Sequence, residues 1–185
     1  KPPATVAIRS FAGIIRSIPV INAVISIIIP EFILNFIIPV SKINKLIKNY
    51  DHIIIDGPPR IYDVAKSAIV CSDVVIIPVQ PSPYDVWAAN EVVTLIKEVS
   101  EPLEGIKNIK CSFLINRKIV NTAIGRDVEQ ALQHYNVDIL QTHVCQRIAY
   151  AETATIGSTV IEETAKDNQA YQEIVSLTEE ILEKY

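Results

Sequence analysis

Three short stretches carry side chains whose type and placement could do chemistry. Asp56 ends the apolar run Ile53-Ile54-Ile55 and is followed at once by Gly57-Pro58-Pro59. Isoleucines without alternation suit a strand buried on both faces, and Gly-Pro-Pro continues neither a ladder nor a helix. Asp56 is therefore expected at the carboxyl end of a buried strand, the edge at which open α/β sheets bind ligands. A carboxylate there suits Mg²⁺, which keeps several waters and takes one or two carboxylates together with substrate phosphates. Asn116 and Arg117 follow Ile115 in the same way. The asparagine offers a donor and an acceptor together, as reading a purine edge requires, and the arginine can pair with phosphate or carboxylate. Residues 144–147, Val-Cys-Gln-Arg, close a further predicted strand and bring Arg147 to its end. Singly, each feature is common, and a turn aspartate capping its own backbone is the ordinary alternative for Asp56.

These residues need a scaffold that brings strand ends together, and the pattern supplies one. Strands are predicted over 52–56, 73–79, 109–115 and 137–144, the first two around apolar runs without alternation. Between and after them helices are predicted over 62–72, from a cap at Asn121 or Thr122 to near Tyr135, over 147–155 and over 168–184. A further helix opens on Ser82, with Pro83 at its first position and Asp85 three residues after the serine, and runs to Val99. Its core stripe is Ala89, Val92, Val93, Ile96 and Val99, with Trp87 read as a packing residue. Strands alternating with helices imply crossover units: an α/β fold, a mostly parallel sheet with helices on both faces.

Bulk properties narrow the field. At 185 residues the length suits one domain, and a net charge of -4 with a pI near 5.4 gives no whole-molecule attraction to nucleic acid, so such binding would need a local patch. Cys71, Cys111 and Cys145 form no C-x-x-C pair and read as free thiols of a reducing compartment. His143 and Cys145 lack the second pair of ligands a zinc site needs. The chain has no methionine and starts at lysine, as a fragment or a sequence without its natural start would.

Residues 1–40 differ in character from 41–185, where the regular pattern begins with an amphipathic helix over 41–49 capped by Ser41. Ile18 to Val40 is almost continuously apolar, with a single charge at Glu31 and prolines at 19, 30 and 39. Its length would span a membrane, but the prolines break a helix and a mid-span carboxylate costs about 3 kcal/mol on insertion scales. We expect buried strands of a truncated or altered N-terminal part, with a membrane anchor as the second reading and a non-native reading frame as the third.

Taken together and in order, Tyr50-Asp-His-Ile-Ile-Ile-Asp-Gly-Pro-Pro-Arg60, Val75-Ile-Ile-Pro-Val-Gln-Pro-Ser-Pro-Tyr84 and Leu114-Ile-Asn-Arg-Lys118 resemble the landmarks of the ParA/MinD group of deviant P-loop ATPases, nearest to the ParA-type partition ATPases of plasmids and chromosomes. The likeness covers residues 42–185. It implies that Asp56 is the Walker B aspartate, acting on Mg²⁺ through water, that residues 57–60 are the adjoining switch, that Asn116 and Arg117 contact adenine, and that the loop from Cys145 to Arg147 closes over the base. It also implies ATP and Mg²⁺ as cofactors, a homodimer when ATP is bound, non-specific DNA and a centromere-binding protein as partners, and a cytoplasmic, nucleoid-associated place in DNA segregation. Lys107, Lys110, Lys118 and Arg126 are the candidate DNA contacts.

The acidic C-terminus, Thr178-Glu-Glu-Ile-Leu-Glu-Lys-Tyr185, differs from the basic membrane-binding helix of MinD-like members and favours the partition branch without a membrane partner. The chain departs from the family at the phosphate loop: Gly13 is the sole glycine before Asp56, and G-K-[ST] occurs nowhere. That loop's backbone N–H groups and lysines hold the phosphates, so the resemblance implies ATP hydrolysis for the family and leaves it open for this chain. The two expectations are a partition ATPase with a defective nucleotide site and a catalytically inactive relative kept as a scaffold.

Overall fold

The computed structural model describes residues 4–9, 24–28, 50–57, 62–122 and 124–185, with 4–9, 24–28, 57, 62 and 124–126 described through their backbone. Among the described residues there are seven strands: β1 (Ala4–Arg9), β2 (Val24–Ile28), β3 (His52–Gly57), β4 (Val74–Val79), β5 (Lys110–Lys118), β6 (Asp138–Ile139) and β7 (Val144–Cys145). They are ordered β2-β3-β1-β4-β5-β6, with β7 also on β5, and every pairing is parallel. Six α-helices are described: α1 (Tyr62–Cys71), α2 (Pro83–Ser100), α3 (Ile124–Gln133), α4 (Ile148–Thr155), α5 (Val160–Glu163) and α6 (Gln169–Lys184).

The apolar runs form strands because parallel crossovers cover both sheet faces, so successive side chains each find a core. Ile53, Ile55, Val75, Ile77, Phe113 and Ile115 pack on one face with Ala68 and Ile69 of α1, the stripe of α2 and Val128 and Leu132 of α3. Ile54, Val74, Ile76 and Leu114 face the other way, against Ala170, Ile174 and Leu177 of α6. The expected α/β sheet with helices on both faces is the observed one.

Two stretches of the apolar N-terminal segment belong to this same sheet. β1 lies between β3 and β4 in its interior, and β2 pairs with the other side of β3. The expected helix over 41–49, most of the 18–40 stretch offered as an anchor, and the switch positions 58–60 lie outside the described residues. Among the described residues, no helix is long and apolar enough to cross a membrane.

Two expectations need correction. The strand expected over 137–144 is two short strands, because between them the backbone leaves the ladder: the N–H groups of Gln141 and Thr142 donate to the Glu180 carboxylate at 2.6 and 2.7 Å. Trp87 is not packed in the core but 67% exposed, with its ring edge-on to exposed Tyr84, since the buried stripe of α2 turns position 87 outward. The Thr122 hydroxyl donates to the Ile119 carbonyl at 2.8 Å and closes a turn ahead of α3; residue 123, between the expected cap at Asn121 or Thr122 and this helix, lies outside the described residues. The cap at Ser82 is present: its Oγ accepts from the Tyr84 N–H at 3.2 Å, with Pro83 at the first helical position.

Ile174 is fully buried beneath the sheet. Ile174→Ala should lower unfolding free energy by about 2–5 kcal/mol, seen as a lower urea midpoint at unchanged slope. A midpoint equal to the parent's would show that α6 does not pack there.

Candidate functional site

A sheet of uniform direction gathers every strand's carboxyl end on one edge. Along that edge Asp56 closes β3, in register with Ile8 of β1, while Arg9 pairs with Gly57. β1 therefore delivers the chain to the edge directly beside Asp56. The order continues through β4 to Asn116 on β5 and Cys145 on β7. Neighbouring strands lie about 4.8 Å apart, so Asp56 and Asn116, three strand spacings apart, are separated by about 14 Å. Two such groups cannot act on one atom, but they can address the two ends of an extended mononucleotide. Asp56 is half-buried. A strand-end carboxylate is a ligand that Mg²⁺ accepts once phosphate oxygens and waters complete the shell.

At the other end the backbone is unusual. Asn116 pairs with Val144 and Lys118 with Cys145, so Arg117 is an extra residue between them, and its φ of 54° lies in the left-handed region. A non-glycine residue there costs about 1 kcal/mol, and such bulges re-aim side chains beside functional edges. The Arg117 N–H donates to Asn116 Oδ1 at 2.9 Å, which orients the amide. Oδ1 retains acceptor capacity and Nδ2 carries two donors, the complement a purine edge requires. The exposed Arg117 side chain stands next to it.

Arg147 is engaged from behind. Its Nε and Nη2 donate to Glu173 Oε1 at 2.9 and 2.7 Å, and Nη1 donates to the Gln169 side-chain oxygen. Glu173 Oε2 accepts from the Cys145 N–H at 3.1 Å and the Tyr150 hydroxyl at 3.2 Å. These bonds hold the Arg147 guanidinium above its ordinary pKa, Glu173 being the main cause. Burial pushes the Cys145 thiol up as well, aided by Glu173. Glu180, two turns further along α6, feels burial pushing its pKa up, but the Gln141 and Thr142 donors outweigh it and hold the carboxyl below its usual value. Neither glutamate was found from the sequence. Their seven-residue spacing on a helix was available as a signal, but acidic helix residues ordinarily face solvent.

A family model described as "AAA domain" matches residues 14–110, just over half the chain. The chain belongs to this family. The ParA/MinD-type likeness inferred above from three motifs recurs among its relatives, and its structural neighbours share the fold. Over 149 residues it is 26% identical to the maintenance of carboxysome distribution protein A of Halothiobacillus neapolitanus, covering 78% of this chain and 66% of that protein. The fold matches the MinD cell division protein of Aquifex aeolicus at a TM-score of 0.65 and 16% identity, over 99% of this chain and 85% of that one. It also matches a putative plasmid partition protein of Borrelia burgdorferi bound to AMPPNP, at a TM-score of 0.60 and 18% identity, over 77% of this chain and 55% of that one. The chain spans about two fifths to two thirds of the length of the curated relatives it matches.

The candidate DNA contacts of this ParA/MinD-type chain are not brought together. Lys107 pairs with Asp73 at 3.3 Å and donates to the Val70 carbonyl, and Lys110 lies 5.4 Å from the Tyr185 ring centroid. Both precede or open β5, at the amino edge. Lys118 is at the carboxyl edge, and the Arg126 side chain lies outside the described residues.

Lys118 is also the centre of a closed polar cluster. Its ammonium donates to Glu129 Oε1 at 3.0 Å and to His143 Nδ1 at 2.9 Å, and His143 Nε2 lies 3.3 Å from the same Glu129 oxygen. Lysine has no acceptor, so Nδ1 accepts and the imidazole proton sits on Nε2, facing Glu129. Burial lowers the His143 pKa, Lys118 adds to the effect, and the Glu129 and Glu180 carboxylates oppose it. A histidine with a depressed folded-state pKa keeps its stability contribution above the unfolded value of about 6.5 and loses it as pH falls toward the folded value. Urea midpoints should therefore drop as pH is lowered from 7.5 to about 5.5. His143→Gln should flatten that slope, and an unchanged slope in the variant would remove the cluster as its source.

Proposed function

We propose that this chain is the carboxyl-edge portion of a ParA-type ATPase acting in DNA segregation, with Asp56 at the metal end of the nucleotide site and Asn116 at the base end. The observation that carries the reading is the spacing along one sheet edge: Asp56 beside the end of β1, and Asn116 three strand spacings away on a bulge that presents its amide. Mg²⁺-ATP would supply the phosphoryl group and the charge that holds it. Asp56 would hold the metal's water and the attacking water in place, acting as the Walker B aspartate. Asn116 would read the adenine edge, Arg117 would lie alongside, and the 145–147 loop with Arg147 would wall the base. In the assembled protein, ATP would join two subunits across these edges and license binding to non-specific DNA. A partner on a centromere-like site would stimulate hydrolysis, and the protein would work in the cytoplasm on the nucleoid. Residues 41–185 would form the ATPase domain, joined by strands from the 1–40 segment.

A second reading has its own observation. β1 occupies the interior position next to Asp56, yet the residues that follow it, Ser10-Phe-Ala-Gly-Ile-Ile-Arg-Ser17, carry one glycine and no lysine. Without paired lysine and glycine-rich backbone the triphosphate has fewer donors. On this reading the chain is an inactive ParA-like scaffold whose edge still engages partners.

Calorimetric titration with Mg²⁺-ATP separates the two. Micromolar affinity with measurable hydrolysis supports the ATPase, and a folded chain that binds no nucleotide supports the scaffold. Asp56→Ala should reduce turnover by at least about a hundredfold, in line with the loss of one preorganised electrostatic group. Full turnover in that variant would remove Asp56 from the reaction.

A further inference from the structure

We propose that Glu173 of α6 is a positioning residue for the base end of the nucleotide site, fixing the loop that carries Cys145 and Arg147 against Asn116; the inference rests on the nucleotide reading above. Four donors converge on this one carboxylate, two from Arg147 on Oε1 and the Cys145 N–H and Tyr150 hydroxyl on Oε2. The side chain is 14% exposed, and Arg147 gives it two charge-assisted N–H bonds, both to Oε1, in a partly buried setting. What sets it apart is the backbone bond. Cys145 is paired with Lys118 directly across the Arg117 bulge, so a carboxylate holding its N–H fixes the strand facing Asn116. Glu180, two turns along the same helix, holds the Gln141 and Thr142 N–H groups in the same way. α6 thus sets the far wall of the base end from outside the sheet, three strand spacings from Asp56.

The chemistry predicts which change matters. An amide at position 173 keeps one oxygen and turns a nitrogen donor toward the other pair of donors. Whichever way it rotates, it loses either the two Arg147 bonds or the bond from the Cys145 N–H, which can only donate. The base end then loosens while the metal end is untouched.

The test compares affinities for Mg²⁺-ATP and Mg²⁺-tripolyphosphate, which shares the phosphate chain but has no base, in the full chain and in Glu173→Gln. The ratio of the two affinities should fall about tenfold in the variant, through weaker ATP binding with tripolyphosphate unchanged. Circular dichroism at the assay temperature establishes that both proteins are folded. A ratio equal to the parent's, or equal losses for both ligands, overturns the positioning role while leaving the nucleotide reading intact. A parent chain that binds neither ligand overturns the nucleotide reading and this inference with it. Should Glu173→Gln fail to fold, Glu173→Asp keeps the charge and shortens the reach; it is read by the same ratio with the same expected direction, and an unchanged ratio overturns the role.

Discussion

The uniform direction of the strands is the constraint on which the rest of the molecule depends. Because every pairing is parallel, all carboxyl ends fall on one edge, and groups separated by dozens of residues become neighbours there. Parallel strands need crossovers, the crossovers put helices on both faces, and doubly covered strands must be apolar throughout. The isoleucine and valine runs of β3 and β4 are the visible result. Charged groups of β3 and β5 then fall at the strand ends, so the architecture that excludes water from the sheet also gathers its chemistry at a rim.

That rim is not held by the sheet alone. β6 and β7 are two residues each, too short to fix the segment between them through ladder bonds. Glu180 and Glu173 replace the missing ladder with carboxylate acceptors for backbone N–H groups, the stronger, charge-assisted kind of bond. The C-terminal end of α6 is anchored in turn: the Tyr185 and Ser112 hydroxyls bond each other, and Lys184 pairs with Asp138 at 3.3 Å. An acidic helix therefore serves the sheet edge by supplying acceptors where the strands run out.

The Arg117 bulge and the cluster beside it illustrate local conflict resolved by tertiary contacts. A left-handed arginine is unfavourable in itself, yet Lys118, the residue after it, is fastened to Glu129 of α3 and His143 of the β6–β7 connection. Anchoring one side of the bulge to two other elements lets a strained residue persist, and strain of this sort gathers where side chains must be aimed. The same anchoring takes Lys118 out of the pool of cations free to meet a polyanion, and Lys107 and Lys110 stand at the opposite edge.

By itself, the sequence determined the fold class, the strands β3, β4 and β5, the long helices α2 and α6, and the placement of Asp56 and Asn116 at strand ends. Those features follow from local rules: apolar runs too short for helices, a Ser-Pro helix start, and Gly-Pro-Pro after a strand. The ParA/MinD likeness was legible for the same reason, since its motifs are strand ends. Tertiary structure alone decided that β1 enters the interior of the sheet beside Asp56, because pairing partners of a short strand are not written in its own pattern. It also decided that 137–144 breaks into two strands, because the competing acceptor, Glu180, lies on a helix some forty residues away. Trp87 turned outward because helical phase, rather than residue type, chooses the buried face. The role of Glu173 was invisible from sequence, since one carboxylate accepting from a backbone amide, an arginine and a tyrosine is defined only once three separate elements meet.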